Sequence, residues 1–154
     1  MLDLVLAGDL PKLAGIGALA RAPSLRNFRQ PSDAAASRLE SKADGALLYV
    51  PSYEPDEGAL AELARRGGAM VFSFSDVLRE RGFRRAIVLS KMRLALAACR
   101  RAGCGFVACT LARSQGELRN AREISAFSSV IGMDGCERKF SGELMERLAA
   151  GGKP

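Results

Sequence analysis

The sequence predicts an α/β fold: a parallel sheet with flanking helices, closed only as an abbreviated or open barrel. Three observations predict it. Apolar runs short enough for buried strands alternate with longer stretches of helical spacing, which is the pattern of right-handed β-α-β crossovers. Four strands are expected, at 2–6, 46–50, 69–74 and 105–109. The chain has 154 residues, whereas a full eight-fold β/α barrel takes roughly 200 or more. One α/β domain over 1–150 and a flexible tail at 151–154 are expected.

Leu2 to Leu6 is apolar apart from Asp3 and reads as a buried strand ending at Gly8-Asp9. Pro11 opens a short helix through Leu19. The lone G-x-G at Gly15 and Gly17 lacks a third glycine, so it does not indicate a dinucleotide site. The segment 23–31 reads as a loop or irregular strand. Its Arg26, Phe28 and Arg29 would clamp a nucleic-acid strand, or Phe28 would simply plug the core. Ser32 or Asp33 caps a helix to about Lys42.

The run 46–50 is a second strand, ended by Pro51, and a helix follows to Arg66 with Leu60 and Leu63 inward. After Gly67-Gly68 comes the strand 69–74, then a short helix or turn capped by Ser75 or Asp76. The helix Arg84–Ala102 places Val88, Met92, Ala95, Leu96 and Cys99 on one arc, with Ser90, Arg93, Arg100 and Arg101 opposite. The uniformly apolar strand 105–109 follows. The loop Thr110–Gly116 leads to a helix with Ala121, Ile124, Phe127 and Ile131 on one face. Asp134 to Lys139 is a connection, and Ser141 caps the last helix.

Composition excludes several functions. There is no histidine, which removes Ser-His and Cys-His nucleophiles and any His-ligated metal. No apolar run approaches a membrane span, no signal peptide is visible, and a cytoplasmic location without membrane partners is expected. Cys99, Cys104, Cys109 and Cys136 form no C-x-x-C pair and are read as reduced, mostly buried thiols. The remaining chemistry is in carboxylates. Asp9, Glu54, Asp56 and Asp76 follow predicted strands, as does Thr110, and such oxygens suit Mg²⁺ and phosphoryl transfer. Helix capping by Asp9 and Asp76, and solvation of Glu54 and Asp56, accounts for them better, without any ligand.

Charge gives the stronger signal. The net charge is +6 and the isoelectric point about 9.5. Eleven basic residues lie between Arg79 and Arg122, opposed there only by Glu80 and Glu117. A solvated surface normally mixes signs, and arginine's planar fork suits phosphate. A surface for RNA or another polyphosphate is expected, drawing on Arg26, Arg29, Arg84, Arg85, Arg93, Arg100, Arg113, Arg119 and Arg122. Arg119, read as standing at a helix start, needs an offsetting partner there: Glu117, Glu123 or a phosphate.

From about Ser37 to Met133 the chain resembles ribonuclease P protein component three, the archaeal relative of the thirty-kilodalton ribonuclease P/MRP subunit. Four segments carry the resemblance: SRLESKADGALLYVP with Arg38 and Asp44, AMVFSFSDVLRERG, RRAIVLSKMRLALAACRRAG with its central Ser90, and CTLARSQGELRNAREISAFSSVIGM. In the last, Glu117, Leu118 and Arg119 match the family's E-[LIM]-R element, and Thr110 stands where serine is usual. The chain departs from the family in its short N-terminal part, in Asp76 or Val77 where a proline is usual, and in Asn120-Ala121 where Gly-Pro or similar is common. These departures bear on barrel closure and on the 110–120 loop.

The resemblance implies a TIM-barrel-like, non-catalytic protein supporting a catalytic RNA in the removal of 5′ leaders from precursor tRNA. It implies no cofactor on the protein and Mg²⁺ for the RNA holoenzyme. The expected partners are ribonuclease P RNA, a small α/β protein subunit and, indirectly, precursor tRNA. Thr110 and Glu117 would shape the loop. A Mg²⁺-dependent phosphoesterase and a protein-interaction module are the alternatives.

Overall fold

Four short segments of high β-propensity, Leu47–Tyr49, Ala69–Ser73, Gly105–Cys109 and Leu2–Val5, carry the interior of the molecule. In the computed structural model the described residues are 2–6, 18–21, 28–29 and 46–150. In chain order the strands are β1 (Leu2–Val5), β2 (Ala18–Arg21), β3 (Phe28–Arg29), β4 (Leu47–Tyr49), β5 (Ala69–Ser73) and β6 (Gly105–Cys109). The helices are α1 (Glu57–Arg65), α2 (Phe74–Arg79), α3 (Gly82–Ala102), α4 (Ala121–Ile131) and α5 (Gly135–Ala149).

Among the described residues every pairing is parallel. One sheet runs β3-β4-β5-β6, and β1 pairs with β2. β5 and β6 match over five residues, from Ala69 opposite Gly105 to Ser73 opposite Cys109. β1 also meets the continuation of β6: Leu111 N–H donates to Leu4 O at 2.8 Å, and Leu6 N–H to Ala112 O at 2.8 Å. No pairing joins β2 to β3 among the described residues. The fold is therefore α/β, with an open parallel sheet and flanking helices.

β4 and β5 are buried along their whole length, which is why they read as continuous apolar runs. Helix α3 packs on the sheet through Met92, Ala95, Leu96 and Cys99, all buried, with Val88 beside them. α4 contributes Ile124, Phe127 and Ile131, and α5 contributes Leu144, Met145 and Leu148. Gly103 ends α3 at φ +66°, in the left-handed region that glycine adopts without a Cβ penalty. Gly105 is fixed by contact: a Cβ there would stand 2.8 Å from the Gly68 carbonyl oxygen.

The predicted strands 2–6, 46–50, 69–74 and 105–109 are all present. Other expectations are corrected. Leu19 does not end a helix, because Ala18–Arg21 is β2, held by pairing to β1. The segment 23–31 contributes the edge strand β3. Helix α2 is capped by Ser73, whose Oγ accepts from Asp76 N–H, rather than by Ser75 or Asp76. α5 begins at Gly135 under an Asp134–Glu137 capping box, so 134–139 is no free connection. Ser141 lies inside α5, buried, where its Oγ accepts from Ala108 N–H at 3.3 Å. The helix expected over 33–42, Asp9, the Gly15-Gly17 pair and the tail lie outside the described residues. Cys99, Cys104 and Cys109 are buried free thiols and Cys136 is exposed, as expected.

Candidate nucleic-acid interface

Parallel strands deliver their following loops to one end of the sheet. The segments after β4, β5 and β6 meet there, as do the starts of α3 and α4, which run back antiparallel to the strands. A polar network knits this end together. The hydroxyls of Tyr49 and Tyr53 donate to one oxygen of Asp76, at 2.8 and 2.6 Å. The other Asp76 oxygen faces Arg79 at 3.6 Å. Arg79 forks onto Glu117 with two bonds of 2.7 Å, and Glu117 also accepts the backbone N–H of Arg113 at 2.8 Å.

Burial, reinforced by the Asp76 charge, pushes both tyrosine hydroxyls well above their ordinary range. Both hydroxyls therefore keep their protons for Asp76, and the Tyr53 oxygen also accepts from Ser73 N–H at 3.1 Å. The Arg79 hydrogen bonds hold the Glu117 carboxyl below its usual value, and the same contact raises the guanidinium.

A second tie lies deeper. Asp3, fully buried in β1, accepts from the backbone N–H of Thr110 at 2.7 Å and from the Thr110 hydroxyl. Burial raises the Asp3 carboxyl, and the Thr110 bonds partly offset it. The Thr110 carbonyl in turn accepts from Ser75 N–H at 3.1 Å. The Ser75 hydroxyl is buried with no hydrogen-bond partner among the described residues. Two bulky residues at this end occupy left-handed backbone, Tyr53 at φ +55° and Leu111 at φ +47°. Each costs of order 1–3 kcal/mol and persists because the surrounding bonds over-determine it. The loop after β6 is thus braced at both ends, by Thr110 on Asp3 and by Glu117 on Arg79.

The arginines predicted from the sequence divide into groups. Arg84, Arg113 and Arg122 are exposed, and none makes a side-chain hydrogen bond or ion pair among the described residues, though the Arg113 charge helps lower the Glu117 carboxyl. Arg85 bonds the carbonyls of Val77 and Glu80 at 3.1 and 2.8 Å. Arg93 and Arg100 bond the carbonyls that end α4: Arg93 reaches Val130 O at 2.9 and 3.1 Å, and Arg100 reaches Gly132 O at 2.8 Å while forking onto Glu137. Arg119 stands one residue before the helix cap Asn120. It donates to Gly116 O at 2.9 Å and Leu118 O at 2.6 Å, with Glu123 at 3.7 Å. Glu117 faces Arg79 instead. Arg29 lies in β3, of which only the backbone is described, and Arg26 lies outside the described residues.

The carboxylates also divide. Asp56 caps α1 by accepting from Ala59 N–H at 3.1 Å, so it is not a purely solvated loop charge. Asp76 serves the two tyrosines and does not cap α2. Glu54 pairs with Lys91 at 2.8 Å. Among the described residues no three His, Cys, Asp or Glu side chains converge as a metal donor set. Sequence reasoning missed Asp3, Tyr49 and Arg79 as site builders. Asp3 carried one readable signal, a lone charge inside an otherwise apolar strand.

Neither a scan against protein-family models nor a search of curated proteins returns a match for this chain.

Proposed function

We propose that the chain is an RNA-binding protein subunit of ribonuclease P, built as an abbreviated barrel and supporting a catalytic RNA in 5′ processing of precursor tRNA. The cyclic succession of strands favours the barrel: the first strand lies beside the end of the sixth, and β1 and β2 are neighbours as β3 to β6 are. The observation that carries the RNA reading is the braced loop 110–120, which holds exposed Arg113 between two fixed points and leads to exposed Arg122. A rigid loop bearing cations binds phosphate without a large ordering cost. Arg84 is placed at the same end by the course of α3, while Arg119 keeps the loop in shape.

On this reading the protein holds no cofactor and is not the catalyst. Mg²⁺ serves the RNA, a small α/β subunit is the protein partner, and the work is cytoplasmic. The Mg²⁺-phosphoesterase alternative has less support, because the described strand-end carboxylates are already engaged by tyrosines, a helix N-terminus and a lysine.

The test is salt-dependent binding to a ribonuclease P RNA transcript, with a scrambled RNA of equal length as comparison. Arg113→Ala and Arg122→Ala should each weaken binding and reduce the log–log salt slope by about 0.7 to 0.9. Arg119→Ala should weaken binding and lower the melting temperature together, because its carbonyl bonds shape the loop. Parent-like affinity and slope in both Arg113→Ala and Arg122→Ala would remove the RNA reading. Mg²⁺-dependent cleavage of precursor tRNA by RNA-free protein would replace it.

A further inference from the structure

Helix α3 is apolar on two opposite faces. Its inner face is core. Its outer face carries Phe83, Ile87, Ser90, Leu94, Ala97 and Arg101 at alternating spacings of four and three, which places them on one stripe. Phe83 is 81% exposed, Leu94 68% and Ile87 40%. A helix face turned away from its neighbours normally carries charge, so a leucine and a phenylalanine there need a cover. Beside the stripe, between α1 and α3, lies a groove of about 500 Å³. Gly58, Ala61, Ala98 and Ala102 form much of its wall, with Glu57 and Arg101 among its lining residues. Small side chains leave room for a helix to approach closely.

Charge identifies the occupant. From Gly82 to Ala102 there are six basic residues and no acid; Lys91 and Arg100 are paired with Glu54 and Glu137, Arg85 and Arg93 bond backbone carbonyls, and Arg84 and Arg101 stay exposed. A second copy of α3 would oppose like charges in either orientation, which disfavours a homodimer through this face. RNA phosphates would match the cations but leave the apolar stripe uncovered. We infer that the outer face of α3 and the α1–α3 groove dock an acidic amphipathic helix of another protein, whose apolar stripe covers Phe83, Ile87 and Leu94 while its carboxylates meet the exposed Arg84 and Arg101. This inference rests on the surface alone and holds whether or not the chain binds RNA.

The test uses the full chain and a fluorescein-labelled synthetic helix of glutamate and alanine, with leucines at heptad spacing. Two control peptides replace glutamate by lysine or scatter the leucines. The acidic amphipathic peptide should bind, with both controls at least about tenfold weaker. Leu94→Glu and Phe83→Ser should each weaken it by about tenfold or more, and Leu94→Met should retain it. The variants should melt like the parent, because these side chains are exposed. Absence of peptide binding overturns the inference. So does a Leu94→Glu variant that melts far below the parent, which would mean that the chain covers this face itself. A parent dimer that Leu94→Glu dissociates in sedimentation assigns the face to a second copy and overturns it. Loss of affinity for the ribonuclease P RNA transcript in Leu94→Glu, with peptide binding intact, assigns the face to RNA and also overturns it.

Discussion

Asp3 and Thr110 show how one buried carboxylate is made tolerable. Asp3 receives three donors, two from Thr110 and one from its neighbour Leu4 N–H, yet burial still dominates and raises its pKa. The folded state thus binds this proton more readily than the unfolded chain. Its favourable contribution is fully present below the ordinary carboxyl value of 3.8 and is lost as pH rises through the raised value. Glu117 has the opposite sign, since its lowered pKa gives stability at neutral pH that is lost on acidification. Asp3→Asn keeps the shape and can still accept both backbone N–H groups. Relative to the parent it should gain stability as pH is raised from 4 to 8, read from urea midpoints. Thr110→Val removes the hydroxyl donor and should cost about 1–3 kcal/mol, more at pH 8 than at pH 4. Equal costs at both pH values would mean that Asp3 is not charged in the fold.

At the scale of elements, α3 and α4 are secured by different devices. α3 is held by its buried face. Met92→Asp places an unpaired charge at a fully buried site and should destabilise by more than about 3 kcal/mol in denaturant unfolding. α4 is held at its ends: Asn120 and Glu123 form a capping box at the start, and Arg93, Arg100 and Arg138 gather the carbonyls of Val130, Gly132 and Met133 at the finish. Cations there also complement the helix dipole. Arg100→Ala should therefore lower stability by about 1 kcal/mol, allowing for its exposure. Arg101→Ala, on the outer face of α3, should leave the melting temperature unchanged. An equal fall in both variants would mean that net charge alone matters. The strands β4, β5 and β6 were legible because each is a continuous apolar run, and β1 because only Asp3 interrupts one. β2 was not, because Ala18, Leu19 and Ala20 are strong helix formers that pairing to β1 overrides. The α5 start was legible in principle: Asp134 followed by Glu137 is a capping-box pattern. The basic block was legible as charge, but carbonyl partners such as Val130 O and Gly132 O carry no sequence signature. That is why Arg93 and Arg100 could not be told apart from Arg113 and Arg122.

For the whole molecule, β1 decides whether the sheet has a protected or an open side. It covers the continuation of β6 and supplies Asp3 and Leu4 to the interior. Removing residues 1–6 would leave Leu111 N–H without its acceptor, leave Thr110 without a carboxylate and expose a strand edge to other chains. The truncated protein should unfold at lower urea and scatter more light on warming. A parent-like midpoint without aggregation would show β1 to be an accessory. Asp3 itself was visible in the sequence, but its partner was not, since no local pattern points to a residue 107 positions away.

That separation sets a clock. Closing so long a loop is entropically costly, and contacts of high sequence separation form slowly. During synthesis at about 5–20 residues per second, Asp3 is made on the order of 5–20 seconds before Thr110. In that interval the hydrophobic Leu4 and the charged Asp3 lack their final neighbours. β1 is thus made well before its partner and locked only after it, so the loop after β6 completes the tie that Asp3 begins.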